Sequence, residues 1–284
     1  MYYKIGVDVG GTNTDAVLVS SKNVILAKTK QTTSTTISHG IENAIKNVIS
    51  EGNIPKEKIK YIMLGTTHCT NALVERKNLN KVGAIRIGLP ASRALPIMTD
   101  FPEDLKKILG KHNYLVHGGY EFDGRLISPL NEKEIKGYLL KMKGEVESLS
   151  ITGIFSKTLP NQELKVAEWA KNVLGTGIKI SCSHQVGGLG LLERENASIL
   201  NASLKGVATK MVTAFKETIK KLGLNSQLFI GQNEGTLMSL EQVQEFPVLT
   251  ISSGPTNSIR GAGALSKISN GIVIDVGGTT SDGG

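Results

Sequence analysis

Apolar residues dominate three short runs near the start of the chain, at 3–9, 16–20 and 24–30, and polar turns separate them. Runs of this length between turn residues predict strands in an antiparallel meander. The period then lengthens. Ile41, Ala44, Ile45, Val48 and Ile49 recur at three- and four-residue steps, which predicts a helix over 37–49, and a strand follows at 59–64. The two periods keep alternating, with a short helix at 72–77, strands at 82–87, 148–155 and 178–181, and helices at 131–143 and 161–174, the last with Asn161 as N-cap. Glu163 falls in the first turn of that helix, where a carboxylate is favoured. The longest helical pattern runs from 193 to 222, with Leu200, Leu204, Met211, Phe215 and Ile219 on one face, and reads as a core helix. Short strands at 228–230 and 248–251, a helix opened by Ser253-Gly254-Pro255-Thr256 and a last strand at 271–276 complete the pattern. The fold class is α/β.

Two features stand out from this alternation. The stretch 88–124, with Pro90, Pro96, Pro102 and Gly118-Gly119, reads as a long loop with at most a short helix at 103–108, an excursion of the kind that carries specificity. The other is a repeat. Val7-Asp8-Val9-Gly10-Gly11-Thr12-Asn13-Thr14-Asp15 returns as Ile274-Asp275-Val276-Gly277-Gly278-Thr279-Thr280-Ser281-Asp282, with six of nine positions identical. In each copy an apolar strand enters a Gly-Gly-Thr turn. Glycines let backbone approach an anion closely, and the amides and hydroxyls that follow can donate to it. Gly-Gly is also a plain hairpin signal, but the duplication favours a nucleotide held between two related loops. Asp8 and Asp275 could simply cap or stabilise these turns, but an Asp inside an apolar strand is costly unless paired or facing a metal, and the duplication makes them the candidate catalytic and metal-binding carboxylates.

Composition narrows the class. The chain has 284 residues, 39% hydrophobic and 20% charged, ordinary for a water-soluble globular protein. Its formal charge of +8 is spread over helix lysines such as Lys205, Lys210, Lys216, Lys220 and Lys221, and aromatics make up only 5%. This reads as solvated helix faces and argues against a nucleic-acid surface. Cys69 and Cys182 lack metal or redox spacing, and no run approaches the length that spans a bilayer. A cytoplasmic protein with no membrane partner is expected.

In order, Asp8 to Asp15, Gly65-Thr66-Thr67-His68, Asn71 to Lys77, Ser253-Gly254-Pro255 and Asp275 to Asp282 resemble the N-terminal part of the ATP-dependent hydantoinase/oxoprolinase family. The resemblance covers nearly the whole chain. It implies a ribonuclease-H-like lobe of the actin, sugar kinase and heat-shock ATPase superfamily, with mixed sheet and flanking helices. Two domains are expected: 1–180 with the first phosphate loop, and 181–284 with the long helix and the second loop. The resemblance also implies that the second lobe is incomplete at 284 and that the chain is inactive alone. ATP and Mg²⁺ are the implied cofactors. Asp8 and Asp275 would face the metal, and Gly10, Gly11, Thr12, Asn13, Thr14, Gly277, Gly278, Thr279 and Thr280 would cradle phosphate. The implied reaction is phosphorylation of a cyclic amide carbonyl, of hydantoin or 5-oxoproline type, followed by ring opening. The implied partners are that small molecule and a second hydantoinase subunit; the strand at 271–276, with no lobe to join, either packs on its own chain or pairs with another copy in a homo-oligomer. A small-molecule kinase and a non-catalytic nucleotide-binding subunit are the alternatives.

Other residues admit two readings. Thr66, Thr67 and Asn71 stand at a strand's carboxyl end, where α/β sites lie, and equally suit a helix cap. His68 suits a general base or a structural role. Arg194 and Asn196 either reach substrate or open the long helix. Ser253 to Thr256 suit an anion site at a helix start or a simple loop-to-helix turn. His112, His117 and His184 have no carboxylate at ligand spacing, so a protein-held transition metal is not expected.

Overall fold

The computed structural model describes residues 1–10, 12–32, 37–268, 270–276 and 281–284. The meander is present as β1 (Tyr3–Val9), β2 (Asn13–Ser20) and β3 (Ile25–Thr32), followed by α1 (Ile37–Gly52), β4 (Ile59–Thr66) and α2 (His68–Val74). An alternating segment follows: β5 (Val82–Leu89), α3 (Glu103–Leu109), β6 (Asn113–His117), α4 (Glu132–Met142), β7 (Ser148–Gly153), α5 (Asn161–Leu174), β8 (Lys179–Cys182) and α6 (Ser183–Val186). The long α7 (Leu191–Lys221) leads to β9 (Gln227–Gly231), β10 (Leu237–Ser239), α8 (Leu240–Glu245), α9 (Ser253–Ser266), β11 (Ile274–Val276) and β12 (Ser281–Gly283). Two compact units result, one made of Met1–Val74 with Ala208–Gly284 and the other of Glu75–Val207.

The first unit is built on a six-stranded sheet in the order β10-β9-β4-β1-β2-β3. β1, β2 and β3 pair antiparallel, while β4 joins β1, and β9 joins β4, in parallel. This is the mixed sheet of a ribonuclease-H-like lobe. Period-two alternation sends Ile5, Val7, Val9, Ala16 and Leu18 to one face, where they pack on Ile41, Ala44, Ile45 and Val48 of α1 and on Met211, Val212, Phe215 and Ile219 of α7. Each large side chain buried there contributes about 1.5–3 kcal/mol. The intervening positions, Gly6, Asp8, Asp15 and Val17, line a cavity.

The second unit is a parallel four-stranded sheet, β6-β5-β7-β8. Helices cover both faces. Ile135, Leu139, Val166 and Trp169 of α4 and α5 pack against Ile85 and Ile87, while Leu105, Leu109, Ile199 and Ala202 of α3 and α7 pack against Val82 and Ala84. A parallel sheet buried on both faces should be apolar throughout, yet the fully buried Arg86 sits in the middle of β5. Its guanidinium meets Glu195 of α7 in two bonds of 2.6 and 2.5 Å and donates to the carbonyls of Leu95 and Pro96.

Several sequence expectations are corrected. The stretch 88–124 contains β6 as well as α3. β6 escaped notice because Val116 is its only fully buried residue. Residues 248–251 are not a strand: Pro247–Thr250 form a 3-10 turn that starts at the proline, and Ser239 and Gln242 close a capping box on α8 just before it. α2 begins at His68 rather than at 72, because the Thr66 hydroxyl accepts from the His68 amide at 3.1 Å. Asn161 is the first residue of α5 and Pro160 holds the cap position. Lys205, read as solvated, is only 3% exposed.

Removing one partner of a buried ion pair strands the other charge, so Glu195→Gln should cost about 3–5 kcal/mol, and the double replacement Arg86→Met with Glu195→Leu much less. Trp169 is the single tryptophan and lies in this unit's core, so urea unfolding followed by its fluorescence checks both values. Equal losses in the two variants would contradict the assignment.

Candidate functional site

Both copies of the repeated motif fold as antiparallel hairpins in the same register. Asp8 stands opposite Asp15 and Val9 opposite Thr14 in the first; Asp275 stands opposite Asp282 and Val276 opposite Ser281 in the second. The first hairpin turns tightly, with the Gly10 amide donating to the Asn13 carbonyl at 2.9 Å. Thr12 is exposed, and its hydroxyl accepts from the Asn13 side-chain amide at 3.2 Å. Thr14 is fully buried and points to the core face. Gly11, Gly277, Gly278, Thr279 and Thr280 lie outside the described residues.

Asp8 projects from β1 on the face away from the core. β4 runs beside it with Gly65 in register, and a Cβ on Gly65 would fall 2.5 Å from the Asp8 Oδ1 atom. Only glycine leaves room for the carboxylate. Asp8 is open to solvent by surface area, but the atoms packed around its base desolvate it in part and, with Asp15 and Asp275 adding like charge, push the carboxyl above its usual range. Asp275 is held by a 2.5 Å bond from the Ser258 hydroxyl of α9.

Next to Asp8 lies a cavity of about 340 Å³, walled by Val17, Met63, Gly231 and Leu237 as well as by Asp15 and Asn257. Asn257 comes from the second turn of α9, and its side chain lies over Gly65 and Gly231, both of which a Cβ would crowd. Sequence reasoning missed Asn257 and Ser258. The available signal was their place one turn into the helix opened by Ser253-Gly254-Pro255. That helix does start at Ser253, and Thr256 donates to the Asn233 carbonyl at 2.7 Å.

At the carboxyl end of β4, Thr66 pairs with Val9 and caps α2, while Asn71 bonds to Thr67 through both its backbone amide and its side chain. His68 is half-buried against Ile41, Leu64, Met211 and Phe215 around a separate space of about 180 Å³. Burial pushes its pKa down, which keeps the imidazole neutral. A neutral ring can accept a proton.

Arg194 and Asn196 lie in the second unit. Arg194 is 1% exposed, and its guanidinium donates to the carbonyls of Gly153, Gly188, Leu189 and Gly190 and to the Ser183 hydroxyl. Asn196 donates to Asp100 at 3.4 Å. The structure thus uses Arg194 to tie the Gly188–Gly190 backbone to the end of β7.

Folding supplies two histidines with carboxylates that sequence spacing did not show. His117 Nδ1 is 3.1 Å from Glu134, and His184 Nδ1 is 2.5 Å from Glu163. Burial pushes Glu163 up, but bonds from His184, Ser156 and Ser183 outweigh it and hold the carboxyl below the usual range. Glu163, Cys182 and His184 bring donor atoms within 4.8 Å of one another. Glu163 already accepts from the amides of Gly153 and His184, the Ser183 hydroxyl and the His184 ring, so the group reads as a closed structural network.

The hydantoinase/oxoprolinase N-terminal region matches residues 4–174, and the hydantoinase/oxoprolinase description matches residues 194–284. The chain is 28% identical over 299 residues to an uncharacterised protein of Methanocaldococcus jannaschii and 26% identical over 311 residues to the caprolactamase subunit alpha of Pseudomonas jessenii. Each alignment takes in 99% of this chain but only 43% of the relative. Among solved structures, nucleotide-free acetone carboxylase superposes with a TM-score of 0.79 at 18% identity, and the ATP-dependent caprolactamase of Pseudomonas jessenii with 0.78 at 22%. Both superpositions cover 99% of this chain and 43% of the other. At such identities they show a shared fold. No helix among the described residues is long and apolar enough to cross a membrane.

The crowded Asp8 has a consequence for stability. Its folded pKa is raised, so its contribution to stability is full below the unfolded value and is lost as pH rises through the folded one. Once ionised, the group opposes folding. In chelator-treated protein, Asp8→Asn should raise Tm at pH 7, with the gain shrinking toward pH 4. A lower Tm at both values would overturn the reading.

Proposed function

The chain belongs to the hydantoinase/oxoprolinase family, and from that premise we propose that it provides the nucleotide-binding part of an enzyme that uses ATP to open a cyclic amide of hydantoin or 5-oxoproline type. The observation that carries this reading is the pairing of Asp8 with Asp15 across a hairpin whose strands line a cavity, in a motif that recurs at Asp275. Burial and the like charges near it push the Asp8 carboxyl up, a cost that a cation would offset, and oxygen donors suit Mg²⁺. Asp8 and Asp275 are the residues that would hold it. When bound, the cation would offset charge on the triphosphate.

An amide carbonyl is a poor electrophile. Transfer of a phosphoryl group to its oxygen gives an imidate-like species whose carbon water can attack. Such transfer depends on positioning and electrostatics. In this reading Gly10, Gly11, Thr12 and Asn13 of the first copy donate to phosphate oxygens, and Gly277 to Thr280 of the second copy are the opposing donors. Asn257 orients the ligand in the cavity, and Ser258 fixes Asp275. Thr66, Thr67 and Asn71 form the substrate end, and neutral His68 takes a proton from the attacking water. The chain spans 43% of the length of its curated relatives, so substrate contacts and a second subunit are assigned to the whole protein.

The test is ADP release by the complete enzyme with its partner subunit over a panel of hydantoins and 5-oxoproline. Substrate-stimulated turnover is expected, and Asp8→Ala should reduce kcat by about 10²-fold or more. Gly65→Ala, which drives a methyl group into the Asp8 carboxylate, should lose activity to a similar degree while Trp169 fluorescence reports an unchanged second unit. No stimulated turnover would sink the proposal. A stable phosphorylated product by phosphorus NMR would identify a kinase in its place.

A further inference from the structure

We propose that the second unit carries an anion pocket at the amino ends of its strands, suited to a small phosphate-type polyanion. A pocket of about 440 Å³ is lined by Lys81, Lys106, Lys107, Lys111, His112 and Glu145. Four lysines face one glutamate, so the wall carries net positive charge. Lys106 is engaged with Glu103 at 2.8 Å, while Lys81, Lys107 and Lys111 make no side-chain ion pair among the described residues. Surface lysines alone would signify little.

The histidine is what makes this a site. His112 is 9% exposed, and its carbonyl, which accepts from the Ala84 amide at 2.8 Å, anchors it at the start of β6. The ring is fixed by Tyr114, whose hydroxyl lies 3.1 Å from Nδ1, and Tyr114 in turn stacks on Tyr138 with centroids 4.2 Å apart. The Nε2 atom is buried and has no hydrogen-bond partner; the nearest carboxylate, Glu145, is 3.9 Å away. When the Tyr114 hydroxyl donates to Nδ1, Nε2 bears the hydrogen and the pocket contains a buried N–H with no acceptor. Leaving such a donor unpaired is unfavourable, and an anionic oxygen satisfies it. The lysines then supply the counter-charge at range. The pocket has room for pyrophosphate or the phosphate tail of a nucleotide. The inference rests on the second unit alone and is independent of the nucleotide assignment at Asp8.

Pyrophosphate is the probe, titrated into the full chain in EDTA, with heat followed by calorimetry and the His112 ring nitrogens by NMR. EDTA removes the divalent cation that phosphate binding at Asp8 would require. Saturable binding with a shifted Nε2 resonance is expected. Lys107→Glu with Lys111→Glu should weaken it at least tenfold, His112→Gln should weaken it too, and the exposed pair Lys22→Glu with Lys28→Glu of the first unit, the same change of charge, should change it less than twofold. ATP binding with the same sensitivity to these variants would identify a nucleotide tail as the ligand, and binding of pyrophosphate alone would identify free phosphates. Absence of saturable binding, indifference to the Lys107 and Lys111 reversals, or an unmoved His112 signal would overturn the proposal.

Discussion

A carboxylate near the end of an apolar strand imposes conditions on everything around it. Asp8 alternates with Val7 and Val9, which are committed to the core, so its own side chain must leave the sheet on the other face. That face cannot be closed by a large residue on the neighbouring strand, and Gly65 meets the requirement. Nor can it be filled with hydrocarbon, and α9 contributes Asn257 while leaving a cavity beside the carboxylate. The same carboxylate faces Asp15 across the hairpin and feels Asp275 from the second one. The lobe thus holds like charges in proximity, an arrangement that weakens the fold unless a cation or ligand compensates it.

The second unit handles buried charge in the opposite way. Arg86 and Glu195 neutralise each other with matched geometry, and the remaining guanidinium donors are taken by carbonyls. Arg194 gathers the backbone of a glycine-rich turn, and Glu163 collects amide, hydroxyl and imidazole donors at the carboxyl ends of β7 and β8. In these networks donors and acceptors are matched, which is the usual condition for tolerating polar groups in a core. By that standard Asp8, repelled by its neighbours, and His112, whose Nε2 lacks a partner, are exceptions.

Much of the architecture could be read from the chain because its determinants are local. Strand alternation, helical spacing and turn glycines act over a few residues, and β1, α1, β4, β5, α5 and α7 emerge close to where those patterns place them. The repeat likewise announced two equivalent strands, each running into a Gly-Gly-Thr segment, and the strand that pairs with the second of them, β12, was not foreseen. Failures came where a local signal was weak or overruled: β6 has a single fully buried position, a proline converted an apolar run into a 3-10 turn, and the Thr66 hydroxyl started α2 a turn early.

The tertiary structure decided which side chains meet. Arg86 and Glu195 are 109 positions apart, Glu163 and His184 are 21, and nothing in periodicity or spacing couples them. Arg194 offered a substrate contact on paper, and its donors are used on backbone carbonyls and a serine. Asn257 and Ser258 gained their places through the packing of α9. The sequence by itself determined the strands, the opening meander and the carboxylates near the strand ends, because each is fixed by residues adjacent in the chain, whereas the parallel pairing of β4 with β1 and of β9 with β4 joins segments far apart in it. Pairing, burial and the resulting shifts in proton affinity depend on distances through space, and folding alone sets those.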